Sequence, residues 1–84
     1  MERDEVMQRI REHLAAELEV EADAIADGTR FKEDLEADSL DLVELVMELE
    51  DTYGIKIPDD DAARLLTVGQ AADWIASRAP QNAN

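Results

Sequence analysis

The stretch ADSLDLVEL, residues 37–45, joins a turn to the most hydrophobic segment of the chain. Asp38 or Ser39 is suited to cap a helix here, since either side chain can accept from the free backbone N–H groups of a first turn. With Asp38 as the cap, Asp41 falls at the third helical position, where a carboxylate is also favourable. Apolar residues then recur at offsets of three and four, which predicts a helix over 39–53 that ends at Gly54.

From the residues alone, Ser39 is either a helix cap or an exposed hydroxyl presented for covalent modification. A catalytic serine would need a positioned base. The one histidine, His13, lies on another segment, the chain has no cysteine, and no G-x-S-x-G turn surrounds Ser39. We therefore predict that the chain is not an enzyme and has no catalytic residue.

The length of 84 residues predicts one small domain, over residues 1–79, followed by a disordered tail at 80–84. Without cysteine there is no disulfide framework and no thiolate metal site. No apolar run approaches the roughly 20 residues of a membrane span, and the acidic start is unlike a signal peptide. We expect a soluble cytoplasmic monomer.

The formal charge of −14 argues against nucleic acid and anionic membranes as ligands, because both attract basic surfaces. It favours partners with basic patches, which long-range attraction would steer towards the chain. Between Lys32 and Lys56 there is no basic residue at all. Like charges at helical neighbour spacing, such as Glu44 and Glu48, are mildly destabilising. A recognition role would account for retaining them.

Apolar periodicity predicts further helices at about 3–19, 59–65 and 68–79, the last opened by a T-x-x-Q capping box at 67–70. The fold predicted is a small antiparallel four-helix bundle with three longer helices, a short third helix and a long first loop over 20–38. The acidic run at 59–61 suits a helix start. It lacks the EF-hand pattern, so we predict no metal site.

Residues 31–50, FKEDLEADSLDLVELVMELE, resemble the core of bacterial acyl carrier proteins, and Ile57-Pro58-Asp59 and Thr67-Val68 stand where that family has them. The resemblance covers nearly the whole chain and is most specific over 31–75. It implies that a separate phosphopantetheinyl transferase attaches 4′-phosphopantetheine to Ser39, within the motif Asp38-Ser39-Leu40. The domain would then carry growing acyl chains as thioesters, with type II fatty acid biosynthesis as the expected pathway.

The resemblance also implies two sets of residues around Ser39. Fatty acid or polyketide synthase enzymes with basic docking patches are expected to contact Asp38, Leu40, Asp41, Val43, Glu44, Met47, Glu50, Asp51 and Asp59. The acyl chain is expected to enter between the second and third helices, in a pocket lined by Phe31, Val43, Val46, Met47, Leu49, Ile57, Ala62, Leu65, Ala71 and Trp74.

Two positions depart from the family's pattern. Glu36 stands where many members have glycine, and Leu42 is more hydrophobic than the polar residue often found there. A free-standing carrier of polyketide, aminoacyl or D-alanyl groups therefore stays open as an alternative. An unmodified acidic interaction module would keep the charge without needing Ser39, whereas a divalent cation sensor is disfavoured. The sequence leaves open the cargo, its chain length, the modification state and whether the chain is free-standing.

Overall fold

Four α-helices make up most of the described chain, residues 2–78 of a computed structural model. They are α1 (Arg3–Leu18), α2 (Ser39–Tyr53), α3 (Asp59–Ala62) and α4 (Val68–Arg78), with a short 3₁₀ turn, Ala22–Ala24, in the long first connection. The predicted helical bundle with a short third helix and a long first loop is confirmed. The predicted tail at 80–84 and the predicted end of the fourth helix at residue 79 lie outside the described residues.

The core forms where the apolar stripe of α1 packs against α4. The α1 residues Val6, Ile10 and Leu14 recur every four positions and are fully buried. They meet a face of α4 built from Val68, Ala71, Ala72 and Ile75. Within residues 2–78 no polar or charged residue is buried, so apolar burial holds the bundle, at about 25 cal/mol per Å². No helix in this part of the chain is both long and apolar enough to cross a membrane.

The third helix is shorter than the prediction of 59–65. Its α-helical hydrogen bonds end after the Ala63 N–H, which donates to the Asp59 carbonyl at 3.0 Å. The next two N–H groups, of Arg64 and Leu65, donate instead three residues back, to Asp61 and Ala62. The segment therefore tightens into 3₁₀-type turns, which commonly finish a helix.

The predicted T-x-x-Q capping box at the start of α4 is confirmed. The Thr67 hydroxyl accepts from the Gln70 N–H at 3.2 Å, and Gln70 Oε1 accepts from the Thr67 N–H at 3.1 Å. Gln70 Oε1 also accepts from the Leu66 N–H at 2.8 Å. One side chain thus fixes both the turn before α4 and the first turn of the helix.

The long first loop is held by backbone pairing with the segment that leads into α4, which the sequence did not predict. Phe31 N–H donates to the Leu66 carbonyl at 3.1 Å, and Val68 N–H donates to the Thr29 carbonyl at 2.9 Å. Gly69 N–H donates to the Asp27 carbonyl at 2.8 Å. Pairing over this distance in sequence leaves no local pattern, so only the fold reveals it.

Gly69 is the tightest point of this pairing, and substitution there should destabilise the fold. An added Cβ would lie 2.8 Å from the Asp27 carbonyl oxygen and 3.2 Å from Arg3 Nη2. We expect Gly69→Ala to lower the free energy of unfolding by about 1–3 kcal/mol, as overpacking does. Chemical denaturation would measure it.

Gly28→Ala is the matched control, because an added Cβ at Gly28 meets nothing within 4 Å. It should change the free energy of unfolding by no more than about 0.5 kcal/mol. Equal effects of the two substitutions would contradict the close contact between Gly69 and the first loop.

Candidate functional site

Ser39 is the first residue of α2 and is exposed. The cap is Asp38, whose Oδ1 accepts from the Asp41 N–H at 2.9 Å, while Asp41 Oδ2 accepts from the Asp38 N–H at 3.1 Å. This reciprocal pair is a capping box, and it leaves the Ser39 hydroxyl out of the capping role. Among the described residues that hydroxyl makes no side-chain hydrogen bond, so it is available for chemistry.

The turn before Ser39 is fixed by a buried alanine and a strained backbone. Ala37 is buried, and its N–H donates to the Phe31 carbonyl at 2.9 Å. Glu36 has a φ of 56°, in the left-handed region that costs a residue with a side chain roughly 1–2 kcal/mol. This explains physically why glycine suits position 36, and it shows that the turn keeps its shape with glutamate there.

An apolar groove of about 420 Å³ runs beside Ser39, between α2 and the segment that contains α3. The structure places nine of the ten residues predicted to line a pocket around it: Phe31, Val43, Val46, Met47, Leu49, Ile57, Ala62, Leu65 and Ala71. Ser39 itself lies at the groove. The sequence missed the contributions of Leu42, Leu45 and Ala63, and of the charged Glu50, Lys56 and Asp59.

Trp74 is the exception, because it is not among the residues that line this groove, and its predicted place beside an acyl chain stays a prediction. It comes one position before the fully buried Ile75, so it is turned about 100° away from the centre of the buried face. Its half-buried ring packs at the edge of the core, with the Arg78 guanidinium carbon 4.4 Å from the ring centroid. A cation over an aromatic face is favourable there.

Three apolar side chains stand out from α2 into solvent. Leu40, Val43 and Met47 are 64%, 51% and 61% exposed and recur at helical spacing. We call these three residues the α2 ridge. Single exposed apolar residues are ordinary, but a row of them along one helix face is a candidate interaction surface.

The acidic residues predicted to surround this ridge divide into two groups. Asp38, Glu44, Asp51 and Asp59 are exposed. Asp41 and Glu50 are half-buried and each accepts a backbone N–H: Asp41 in the capping box, and Glu50 Oε2 from Ile57 at 2.7 Å. The Glu50 bond ties the end of α2 to the extended segment before α3. Glu50 therefore holds one wall of the groove in place, a role that the sequence did not indicate.

Three carboxylates converge between α1 and α2, where the sequence predicted no cluster. Oxygen atoms of Glu17, Asp41 and Glu44 lie within 4.8 Å of one another. The contact with Glu44 raises the pKa of Glu17, mainly through a hydrogen bond between the two carboxyl groups. Calcium takes six to eight oxygen ligands, so three side chains fall well short of a complete site. We assign no metal here.

The raised pKa of Glu17 predicts a pH-dependent stability. The folded chain holds this proton to higher pH than the unfolded chain, so stability should fall as the pH rises from the ordinary value of 4.5 through the folded pKa. Glu17→Gln removes this titration and the repulsion from Glu44. The variant should have a higher melting temperature than the parent at pH 7. Its melting temperature should also fall less between mildly acidic and neutral pH.

Glu21→Gln is the matched control for thermal melts across this range. Glu21 is exposed in the first loop, and its substitution changes the net charge by the same amount. If both variants follow the same pH dependence, Glu17 is not responsible for it.

Comparison with known proteins places the chain among characterised relatives. Residues 8–75 match the family model described as the phosphopantetheine attachment site. An acyl carrier protein of Rubrobacter xylanophilus is 48% identical over 75 residues, covering 89% of this chain and 93% of that protein. One from Lactobacillus acidophilus is 44% identical over 77 residues, covering 92% and 96% respectively. The solved structure of an acyl carrier protein from Enterococcus faecalis aligns with a TM-score of 0.80 and 43% identity, covering 92% of this chain and 98% of that one.

Proposed function

Because this chain belongs to the acyl carrier protein family, we propose that Ser39 bears its 4′-phosphopantetheine and that the groove beside Ser39 receives the acyl chain. Members of this family are carriers rather than enzymes, and the prosthetic group is attached covalently. The cargo travels as a thioester on the arm. The pathway we propose is type II fatty acid biosynthesis.

One observation carries the assignment of Ser39: an exposed serine hydroxyl begins α2 at the edge of an apolar groove, while Asp38 does the capping. The backbone N–H groups of Ser39 and Leu40 belong to the first turn and have no intrahelical acceptor. A phosphodiester on Ser39 Oγ would therefore lie at the positive end of the α2 dipole, which favours an anion. The Asp38-Ser39-Leu40 motif provides both the hydroxyl and the place for the phosphate.

The lining of the groove supports the proposal that the acyl chain binds there. Most of its lining is apolar, from α2 on one side and from Ile57, Ala62 and Leu65 on the other. Each CH₂ group that moves from water into such a groove contributes roughly 0.8 kcal/mol. An acyl chain tethered at Ser39 would start at the groove's edge. It would not need to cross a polar surface to enter.

Proteins of this family work with transferases and synthases. For this chain we propose that those enzymes present basic patches to the exposed acids around the α2 ridge, with Asp38, Glu44, Asp51 and Asp59 as the principal contacts. Leu40, Val43 and Met47 would supply the apolar contact, and flexible Met suits a surface that accepts several partners. Asp41 and Glu50 stay in the proposed set, although each already accepts a backbone N–H. We also propose a cytoplasmic location, alongside those enzymes.

The attachment is tested by intact mass after incubation with coenzyme A and a broad-specificity phosphopantetheinyl transferase. We expect a gain of one phosphopantetheinyl group, because Ser39 offers an exposed hydroxyl at a helix start. Ser39→Ala should abolish the gain. Ser77→Ala, which removes the chain's other serine, should leave it intact.

No gain on a folded, unmodified sample would contradict the carrier assignment. The chain would then be better explained as an acidic interaction module, which needs no serine. If Ser39→Ala still gains the phosphopantetheinyl group, the chain is a carrier but the group is attached to another residue.

The groove is tested by methyl NMR of the carrier loaded with a long saturated acyl chain, compared with the same carrier bearing the free thiol. We expect shifts at Val46, Leu49 and Ile57, because these side chains line the groove. Val6 and Ile10, buried on α1 and absent from the groove lining, provide the internal reference. Groove methyls that move no more than the α1 methyls would contradict burial of the chain at this place.

A further inference from the structure

Glu36 has a strained backbone conformation that its own side chain does nothing to offset. Its φ of 56° lies in the left-handed region, which glycine adopts freely and other residues adopt at a cost. The side chain is exposed, and its carboxylate makes no hydrogen bond or ion pair within residues 2–78. A strained residue that the fold does not compensate is a reason to look for a function.

The turn before Ser39 requires a left-handed residue at this position. Glu36 N–H donates to the Lys32 carbonyl at 3.1 Å, the bond with which a left-handed residue ends a helical turn. Ala37 N–H then donates to the Phe31 carbonyl at 2.9 Å. Glycine could make the same bonds without strain. The conformation therefore belongs to the turn, whereas the carboxylate does not serve it.

Glu36 lies close to the hydroxyl that the proposed modification uses. It precedes Ser39 by three positions, so the two Cα atoms are at most about 11 Å apart. A standard interface buries about 800 Å² on each partner, which is a patch of roughly 16 Å radius. An enzyme whose contact is centred on the Ser39 hydroxyl therefore reaches the turn that carries Glu36.

The surface at this turn is acidic. Residues 30–41 contain five acidic and two basic side chains, and one of the basic ones, Arg30, is already paired with Asp34. The exposed Glu36 and Asp38 therefore stand in an excess of negative charge. A protein surface that covers this turn needs cationic side chains to match it.

Among the enzymes of the proposed function, the transferase is the one that has to contact this turn. It joins phosphopantetheine to Ser39 Oγ itself, whereas synthases act on a thioester at the far end of the arm. Its donor, coenzyme A, carries several phosphate groups, and phosphates are bound by cationic side chains. The transferase therefore brings positive charge to the acidic turn before Ser39.

We infer that Glu36 is a specificity-determining contact of the transfer reaction, where its carboxylate pairs with a lysine or arginine beside the coenzyme A site of the transferase. This inference rests on the proposed function. The left-handed glutamate costs stability in the free chain, and its carboxylate contributes binding energy in the complex. Glu36 is not assigned to holding the arm, because the phosphodiester on Ser39 is itself an anion and repels a carboxylate.

The test is the steady-state kinetics of phosphopantetheine transfer, with the unmodified chain as substrate for the source organism's own transferase and coenzyme A. Glu36→Gln keeps the length of the side chain but removes its charge. It should raise KM about two- to five-fold with kcat nearly unchanged, the size expected for one exposed ion pair. The effect should shrink as the salt concentration rises. Glu36→Asp retains the charge and should keep KM near the parent value.

Glu36→Gly separates recognition from stability. Glycine relieves the left-handed strain, so the melting temperature of this variant should be higher than that of the parent. Its KM should nonetheless rise as it does for Glu36→Gln. A purely structural role for Glu36 would change the melting temperature and leave KM unaltered.

Glu5→Gln is the matched control, because it removes the same charge from another exposed residue. Glu5 precedes Glu17 by about 18 Å along α1, and Glu17 is the α1 residue that meets Asp41 and Glu44 of α2. KM for this variant should stay near the parent value.

If the parent is modified and Ser39→Ala is not, but Glu36→Gln and Glu36→Gly match the parent in KM, the contact is wrong and the proposed function stands. The same conclusion follows if Glu5→Gln raises KM as much as Glu36→Gln, because net charge would then explain the effect. If Glu36→Asp is impaired as much as Glu36→Gln, the transferase does not recognise the charge and the ion pair is wrong. If the parent itself gains no group, the proposed function and this inference fall together.

Discussion

The reciprocal hydrogen bonds between Asp38 and Asp41 are the constraint on which the site depends. A serine at a helix start ordinarily becomes the cap itself, with its hydroxyl committed to a backbone N–H. Here the preceding aspartate takes that role and Asp41 completes the box. A cap of this kind is worth about 0.5–2 kcal/mol. Its larger consequence is where it places Ser39. Because Asp38 is the cap, α2 starts at Ser39 and the Ser39 hydroxyl stays free.

The two walls of the groove differ in regularity. One wall is α2, a continuous helix of 15 residues with a cap at each end. The other is a one-turn helix followed by 3₁₀-type turns, joined to α2 through the Glu50–Ile57 hydrogen bond. Segments with little regular structure open locally at lower free energy than the helices of the core. The segment that contains α3, which opens more easily, thus lies opposite the more rigid helix α2, and α2 carries Ser39.

The features that follow local sequence rules were predictable, and those that join distant segments were not. Helical spacing and two capping boxes located α1, α2 and α4, and the resemblance identified the groove residues around Ser39. The cluster of Glu17 with Asp41 and Glu44 depends on how α1 meets α2, which no local pattern encodes. Trp74 lies outside the groove lining because a boundary position on a helix can turn towards either neighbour. The hydrogen bond from Ile57 to Glu50 depends on how the chain folds back after Gly54.

The position of Trp74 determines what optical spectroscopy of this protein reports. Its indole is the single tryptophan of the chain, and it packs beside Arg78 at the edge of the core, outside the groove. Its fluorescence therefore follows the integrity of the contact between α4 and the rest of the bundle. With the acyl chain in the groove as proposed, we expect this emission to stay constant while cargo is exchanged. A probe of loading has to be introduced on the groove itself.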